Sequence, residues 1–371
     1  MIKVLYISHF PHLRMGGQRS MTALIKNLDR SKIVPLVIVP EDGELKSHLE
    51  NLNCSVHNIP LTSLKPKNLI IFISNLIKLL RIIKNERIDI LHPDHERDAF
   101  LCSIAKKFVK ARLVWHVRLT RKNNLDDFIA KNADSIIAIS EGTKMRFDNK
   151  FHHKINVIFN GVDCEKFKPV SDKSLSRSVL GIASDMFPVL FAGQIDPGKG
   201  VEDLLEAIKI IKDKKQQGNL IFIFAGRFKN DDYENKFLDK LKAFGIEDLI
   251  FLAGQQENIE QWMQASEILI LPSHEGVEGM GRVLFEAMAC GTAVIGTDIS
   301  GVREAVFEDA GLLIPQKSPQ SISQGILDIC SNIYKLRNYQ KKGREIAIEY
   351  FDIKSHAMRV SDVYKQAVEA K

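Results

Sequence analysis

The chain has 371 residues, 45% of them hydrophobic and 26% charged, which is the balance of an ordinary folded protein of about two domains and excludes disordered, collagen-like and coiled-coil classes. Its five cysteines stand at 54, 102, 164, 290 and 330 with no C-x-x-C pair, a scatter that fits reduced thiols in a cytosol and neither a disulfide framework nor a zinc ribbon. The net charge of +6 is unevenly spread: residues 1–165 carry 26 Lys and Arg against 17 Asp and Glu, whereas residues 166–371 carry 26 against 29.

In chain order, Met1–Ser8 is too short an apolar stretch for a signal peptide and reads as a first strand. Further strands are expected at 33–39, 54–59, 88–91, 112–116, 134–139 and 155–158, with helices near 18–29, 67–85, 97–109 and 141–148. The stretch 165–186 is rich in Ser, Asp and Lys and reads as a linker with one short helix. Strands resume at 187–192, 219–225, 248–252, 267–271, 292–297 and 311–314, with helices near 200–215, 231–244, 256–265 and 281–290. Runs such as Leu220–Phe224 are apolar continuously, not alternately, as in a parallel sheet buried on both faces. Two series of alternating strands and helices predict two doubly wound α/β domains. After about 318 only helical patterns follow.

The helix expected at 67–85 carries eleven apolar residues between Leu69 and Ile83, interrupted by Lys78 and Arg81. Those two charges rule out a spanning helix. Two readings stay open: a core-packed helix of the first domain, or an interfacial helix that touches anionic lipid. A basic front half also suits a phosphorylated substrate. Nucleic acid fits worst, because no aromatic-interleaved basic run or zinc-finger spacing occurs.

The segment from Leu271 to Gly291 carries the most chemistry. A strand ends at Leu271, a glycine-bearing loop follows, and a helix starts near Gly281 and stops at Gly291. Free amide N–H groups and the helix dipole at such a turn favour an anion such as phosphate. Glu278 in the loop and Glu286 in the helix can accept short hydrogen bonds from sugar hydroxyls. The plain alternative is a solvated loop carboxylate and a helix carboxylate paired to a nearby base.

This segment resembles the E-x7-E signature of family 4 glycosyltransferases, the large retaining family of GT-B fold. Glu278 and Glu286 stand eight apart, with Gly279-Met280-Gly281 after the first. The resemblance continues in Ala293–Glu304, Asn160–Asp163 with Phe167 and Pro169, Ala133–Glu141, the turn at Gly16-Gly17, and Tyr364 in the last helix. As an ordered set these motifs are specific. They imply a fold of two Rossmann-like domains facing across a cleft. Residues 1–165 would form the acceptor-side domain and 166–186 the linker. Residues 187–345 would bind the nucleotide-sugar, and the helix of 346–371 would return to the first domain.

The resemblance also implies roles. Glu278 and the amides of Gly279, Met280 and Gly281 would contact the donor sugar, Glu286 the ribose, and Gly17 and Arg282 the donor. His116, after a mid-domain strand, would lie close to the sugar as a catalytic residue. Members usually carry Arg and then Lys five residues later on the diphosphate; Lys199 matches, but Gln194 replaces the Arg and brings no charge. Arg227 and Arg282 are candidate substitutes. Arg19 stands where many members have an acidic residue, which puts acceptor contacts in doubt. The implied reaction moves a hexose or N-acetylhexosamine, with retention, to a glycan or lipid-linked glycan, as in cell-surface polysaccharide synthesis. In this scheme the leaving phosphate helps to deprotonate the incoming hydroxyl. The scheme requires no metal or other cofactor, and it implies a cytoplasmic enzyme, with residues 67–85 offering a peripheral place on the inner membrane face. Other classes fit less well. A nicotinamide dehydrogenase lacks its G-x-G-x-x-G in the first βα turn, and a GT-B scaffold protein, an epimerase or a phosphorylase are the alternatives within the fold.

Overall fold

The computed structural model describes residues 1–13, 16–61, 68–307 and 309–370. It divides into two compact units, Met1–Gly161 with Ile353–Lys371, and Val162–Asp352. The division therefore falls at 161/162 and 352/353 instead of 165 and 345/346.

Unit 1 is built on a seven-stranded parallel sheet: β1 (Ile2–Ile7), β2 (Ile33–Val39), β3 (Ser55–Asn58), β4 (Ile90–Pro93), β5 (Arg112–Val117), β6 (Ser135–Ala138) and β7 (Ile155–Val157). Their spatial order is β3-β2-β1-β4-β5-β6-β7. The chain order reverses between β1 and β4, and open α/β sheets take ligands at the carboxyl ends of the strands flanking such a switch. Helices α1 (Gly16–Lys26), α2 (Glu44–Asn51), α3 (Leu69–Glu86), α4 (Glu96–Ala105), α5 (Asp126–Asn132) and α6 (Glu141–Lys144) connect the strands. The inner strands, such as β1 and β2, are mostly apolar because both faces are covered, whereas the edge strand β3 (Ser-Val-His-Asn) is partly exposed. Val4 and Tyr6 join a core with Met21, Leu24, Val360 and Tyr364, while Leu5 and Ile7 join one with Phe72, Leu79, Ile83 and Trp115. The final helix, Ile353–Glu369, supplies part of the first layer.

Helix α3 follows the expected 67–85 segment, except that Lys67 lies outside the described residues. Phe72, Asn75, Leu79 and Ile83 are buried. The Asn75 Nδ2 donates to the Pro60 carbonyl at 2.6 Å, which satisfies the buried amide. Ile70, Ile73 and Ile77 are exposed, Ile70 by 84%. No helix among the described residues is long and apolar enough to cross a membrane.

Unit 2 holds a six-stranded parallel sheet of β8 (Phe187–Ala192), β9 (Leu220–Ala225), β10 (Ile250–Gly254), β11 (Ile268–Leu271), β12 (Ala293–Thr297) and β13 (Leu312–Ile314), ordered β10-β9-β8-β11-β12-β13. Its switch lies between β8 and β11. Helices α7 (Lys173–Val179), α8 (Val201–Asp213), α9 (Asp231–Phe244), α10 (Ile259–Ala265), α11 (Arg282–Ala289), α12 (Pro319–Ser331) and α13 (Ile333–Phe351) complete it. The segment expected as a linker is docked on this unit. In α7, Arg177 is buried, its Nε donating to the Ala265 carbonyl at 3.0 Å, and Lys173 Nζ reaches the Ser266 carbonyl at 2.6 Å. Their long stems explain how so polar a stretch packs.

Candidate active site

In unit 2 the predicted donor residues gather at the carboxyl ends of β8 and β11, the two sides of the switch. The loop after β8 turns through Asp196, whose Oδ1 accepts the Gly198 amide at 2.8 Å, and ends at Gly200 with φ +67°. A Cβ on Gly200 would sit 1.9 Å from the Pro272 carbonyl oxygen, so only glycine lets this loop lie against the one that follows β11. The His274 amide then donates to the Gly198 carbonyl at 3.0 Å and ties the two loops. This contact brings Lys199 to Glu278. Glu278 Oε1 accepts from the Lys199 ammonium and from the Ser273 hydroxyl, the latter at 2.8 Å. Both side chains are largely shielded yet reach the surface, at 21% and 11% exposure.

Gly279 and Gly281 flank Met280, whose side chain is buried, so Met280 faces a ligand only through its backbone. Gly281, with φ +64°, begins α11 without a side-chain cap, which leaves amides at the helix mouth for an anion. Arg282 Nε donates to Glu286 Oε1 at 2.6 Å along the helix. The cation expected to reach the diphosphate is thus committed to the expected ribose acceptor. The sequence allowed that pairing as the plain alternative.

Gln194 is exposed and lines a cavity of about 550 Å³ together with Arg227, Lys229, Asp231 and Glu234. The walls come from the carboxyl ends of β8, β9 and β10, where Gly226 and Gly254 add backbone to the lining. Arg227 and Lys229 place positive charge beside the glutamine that stands in for arginine.

Gly17 and His116 belong to unit 1. An added Cβ at Gly17 would lie 3.4 Å from Arg118 Cδ and 3.6 Å from Asp94 Oδ2. Arg118 is held there by Asp94, at 3.3 Å, and by the Asn160 side-chain oxygen Oδ1, at 3.0 Å. His116 ends in the interior of unit 1. Its ring is fully buried, and Nδ1 lies 3.2 Å from Nε2 of His92. His92 Nδ1 meets the Tyr364 hydroxyl at 2.9 Å, and Tyr364 meets Tyr6 at 2.9 Å. Burial pushes both imidazoles well below their ordinary range. Because β5 runs to Val117, the side chain that leaves the strand beside Gly17 is that of Arg118, one strand period beyond His116. Sequence reading passed over Arg118 and Ser273. Arg118 could have been found by extending the expected strand 112–116 by two residues.

Residues 172–346 match the family model described as "Glycosyl transferases group 1", and residues 15–166 match that of "Glycosyltransferase Family 4". Among curated proteins, the chain is 25% identical over 384 residues to the UDP-Gal:alpha-D-GlcNAc-diphosphoundecaprenol alpha-1,3-galactosyltransferase of Escherichia coli, covering 98% of this chain and 96% of that one. It is 27% identical to an uncharacterized glycosyltransferase of Methanocaldococcus jannaschii over 98% of each. A D-inositol 3-phosphate glycosyltransferase of Streptomyces avermitilis is 28% identical over 65% of this chain, which spans about half (54%) of that relative. Among solved structures, a glycosyltransferase of Rickettsia africae superposes with TM-score 0.86 at 20% identity, covering 100% and 99% of the two chains. HepE of Anabaena, solved with UDP and glucose, superposes with TM-score 0.82 at 21% identity, covering 99% and 100%. These two superpositions establish a shared fold.

Proposed function

The chain belongs to glycosyltransferase family 4, with the GT-B fold, and on that footing we propose that it moves a hexose or N-acetylhexosamine, with retention of configuration, from a nucleotide-sugar to a glycan or lipid-linked glycan. The observation that carries this reading is the joining of Lys199, Glu278 and Ser273 at the switch point of the unit 2 sheet. An ammonium there stabilises charge building on a departing diphosphate. The carboxylate of Glu278 and the amides of Gly279, Met280 and Gly281 hold sugar hydroxyls, and Glu286 takes the ribose. Gln194, Arg227 and Lys229 line the neighbouring cavity. In this scheme the positive charge comes from side chains, and no metal or other cofactor is called for. Gly17 is assigned to donor binding on the family resemblance.

A lipid-linked acceptor is favoured by two observations. The Escherichia coli relative is named for a diphosphoundecaprenol-linked substrate, and α3 exposes Ile70, Ile73 and Ile77 on a helix that also carries Lys78, Arg81 and Lys84. Such a face suits a peripheral place on the inner, cytoplasmic leaflet, in the building of a cell-surface polysaccharide.

The decisive experiment is a thermal-shift screen with UDP-, GDP-, ADP- and CDP-sugars. The true donor stands apart because stabilisation grows with the logarithm of ligand over Kd. Glu286→Ala should raise that donor's Kd sharply; an unchanged Kd removes the ribose assignment. Detection of sugar transfer or donor hydrolysis excludes a scaffold protein, and the anomeric configuration of the product tests retention. Flotation with anionic liposomes at low salt, where surface charge acts most strongly, tests the membrane face; no co-flotation counts against it.

A further inference from the structure

The switch of the unit 1 sheet brings together two imidazoles and a carboxylate that the donor scheme does not use. His9 follows the carboxyl end of β1. His95 caps the N-terminus of α4, the helix after β4, and Asp98 lies in the first turn of that helix. His9 Nδ1 stands 3.1 Å from Asp98 Oδ1. The rings of His9 and His95 stack in parallel with centroids 4.2 Å apart. One nitrogen from each ring and one Asp98 oxygen all lie within 4.8 Å of one another. Asp98 is 2% exposed, and its Oδ2 is buried without a hydrogen-bond partner among the described residues. A buried carboxylate oxygen left bare costs free energy that a cation or a donor reaching it would recover.

We propose that His9, His95 and Asp98 bind one divalent transition-metal ion of the Zn²⁺ and Co²⁺ class. Two imidazole nitrogens and one carboxylate oxygen form a borderline donor set, which suits zinc and its neighbours, whereas Mg²⁺ and Ca²⁺ take oxygen ligands. In a tetrahedral site with bonds of about 2.0–2.2 Å, neighbouring donor atoms stand about 3.3–3.5 Å apart. The 3.1 Å between His9 Nδ1 and Asp98 Oδ1 is close to that edge, so this pair is nearly set for a shared ion. The proton on His9 Nδ1 shifts to Nε2, and a neutral imidazole remains the ligand. Stacked rings aim their lone pairs along parallel planes, so one ring must turn before both meet one ion. His95 is the freer ring. Its side chain is 24% exposed against 14% for His9, and its Nδ1 accepts the Arg97 amide only at 3.3 Å. Three protein ligands leave a fourth position for water.

Among the charged neighbours of the two rings, Asp94 and Glu96 favour a cation and Arg97 opposes it. Glu96 Oε2 lies 4.0 Å from His95 Nε2. All three ligands belong to unit 1. The ion clips the loop after β1 to the start of α4, on the two sides of the switch. It is a structural clip and takes no part in sugar transfer, so the inference does not depend on the transferase reading.

The test is a Co²⁺ titration of the full chain, first stripped with EDTA, read by visible absorption and followed by Zn²⁺ competition and a Zn²⁺ thermal shift. The wild type should take up Co²⁺ saturably, with the intense d–d bands of four- or five-coordinate cobalt. Zn²⁺ should displace it, because sites of this kind rank Zn²⁺ above Co²⁺, and excess Mg²⁺ should not. The wild-type melting temperature should rise with the logarithm of Zn²⁺ over its Kd. His9→Ala and His95→Ala should each weaken Co²⁺ binding more than about tenfold, since loss of an outer-shell partner alone typically costs 10–100-fold, and should remove the Zn²⁺ shift. Both substitutions fall on partly exposed side chains, so the test stands even if the buried Asp98→Asn variant does not fold. A wild type with no saturable Co²⁺ or Zn²⁺ binding, or wild-type bands and affinity retained in both histidine variants, overturns the proposal.

Discussion

The ammonium of Lys199 rests on the carboxylate of Glu278, seventy-nine positions further along the chain. The pair forms only because two loops from opposite sides of the β8/β11 switch touch through Gly200 and Pro272. On the proposed reading, a diphosphate entering here would find a cation already in place, so little reorganisation would accompany charge development. Lys199→Ala should lower kcat/KM for the donor by about 10²–10³-fold, the usual effect of removing one such charge-stabilising donor. Steady-state nucleotide release measures it, and a loss of less than threefold would show that Lys199 does not meet the leaving group.

Gly200 predicts a defect in folding as well as in activity. Its φ of +67° and the 1.9 Å approach to the Pro272 oxygen leave no place for a methyl group. A left-handed conformation alone costs a non-glycine residue about 1–2 kcal/mol, and the displaced carbonyl adds to that. Gly200→Ala should lose at least about 2 kcal/mol in urea unfolding and weaken donor stabilisation. An unchanged midpoint would contradict the close approach.

Asp126 and Arg146 form a buried, two-point ion pair, with Nη2–Oδ1 at 2.5 Å and Nε–Oδ2 at 2.7 Å and side chains only 1% and 3% exposed. Arg146 also donates to the Leu119 carbonyl at 2.9 Å and lies 5.6 Å over the Trp115 ring. Asp126→Ala strands a buried guanidinium, and should lose about 3–5 kcal/mol. The double variant Asp126→Leu with Arg146→Met should lose much less, because neither charge then stays unpaired. Equal losses in the two proteins would show that packing, not charge pairing, holds this corner.

His92 and His116 make unit 1 sensitive to acid. Both are held well below the ordinary imidazole range by burial, with Arg118 adding to the effect. The unfolded chain binds their protons below about pH 6.5 while the folded chain does not, so stability rises with pH through that region and is lost as pH falls below it. Asp98, raised to about 6 by burial, acts in the opposite direction. The comparison is therefore between the wild type and His116→Leu. The variant also removes a buried Nε2 that has no partner among the described residues. Its melting temperature should fall less between pH 7.5 and 5 than that of the wild type, and parallel curves would count against the assignment.

Most strands were legible because they are short apolar runs sandwiched between two layers, a pattern that local composition carries. Observed and expected strand limits differ by about two residues, as at β4 (Ile90–Pro93 against 88–91). Helices α2 and α5 went unread. Each is at most eight residues long with two buried apolar side chains, Leu45 and Leu49 in α2 and Ile129 and Ala130 in α5, too few to show a helical period. Arg177 and Lys173 made a docked helix look like a linker, because their charge is visible in the sequence and their carbonyl partners are not.

The sequence by itself determined two doubly wound sheets and the spacing of Glu278 and Glu286, since both follow from patterns a few residues long. Only the tertiary structure decided which side chains come together and which stay apart. His116 and Arg118 differ by one strand period, yet His116 turns into a buried chain of hydrogen bonds and Arg118 stands beside Gly17. His9 meets Asp98 across 89 positions, because the order of strands in the sheet brings the ends of β1 and β4 together. A parallel sheet assembles its sites from loops that are neighbours in space and strangers in sequence, so residue types and spacing name the candidates while strand order and register select among them.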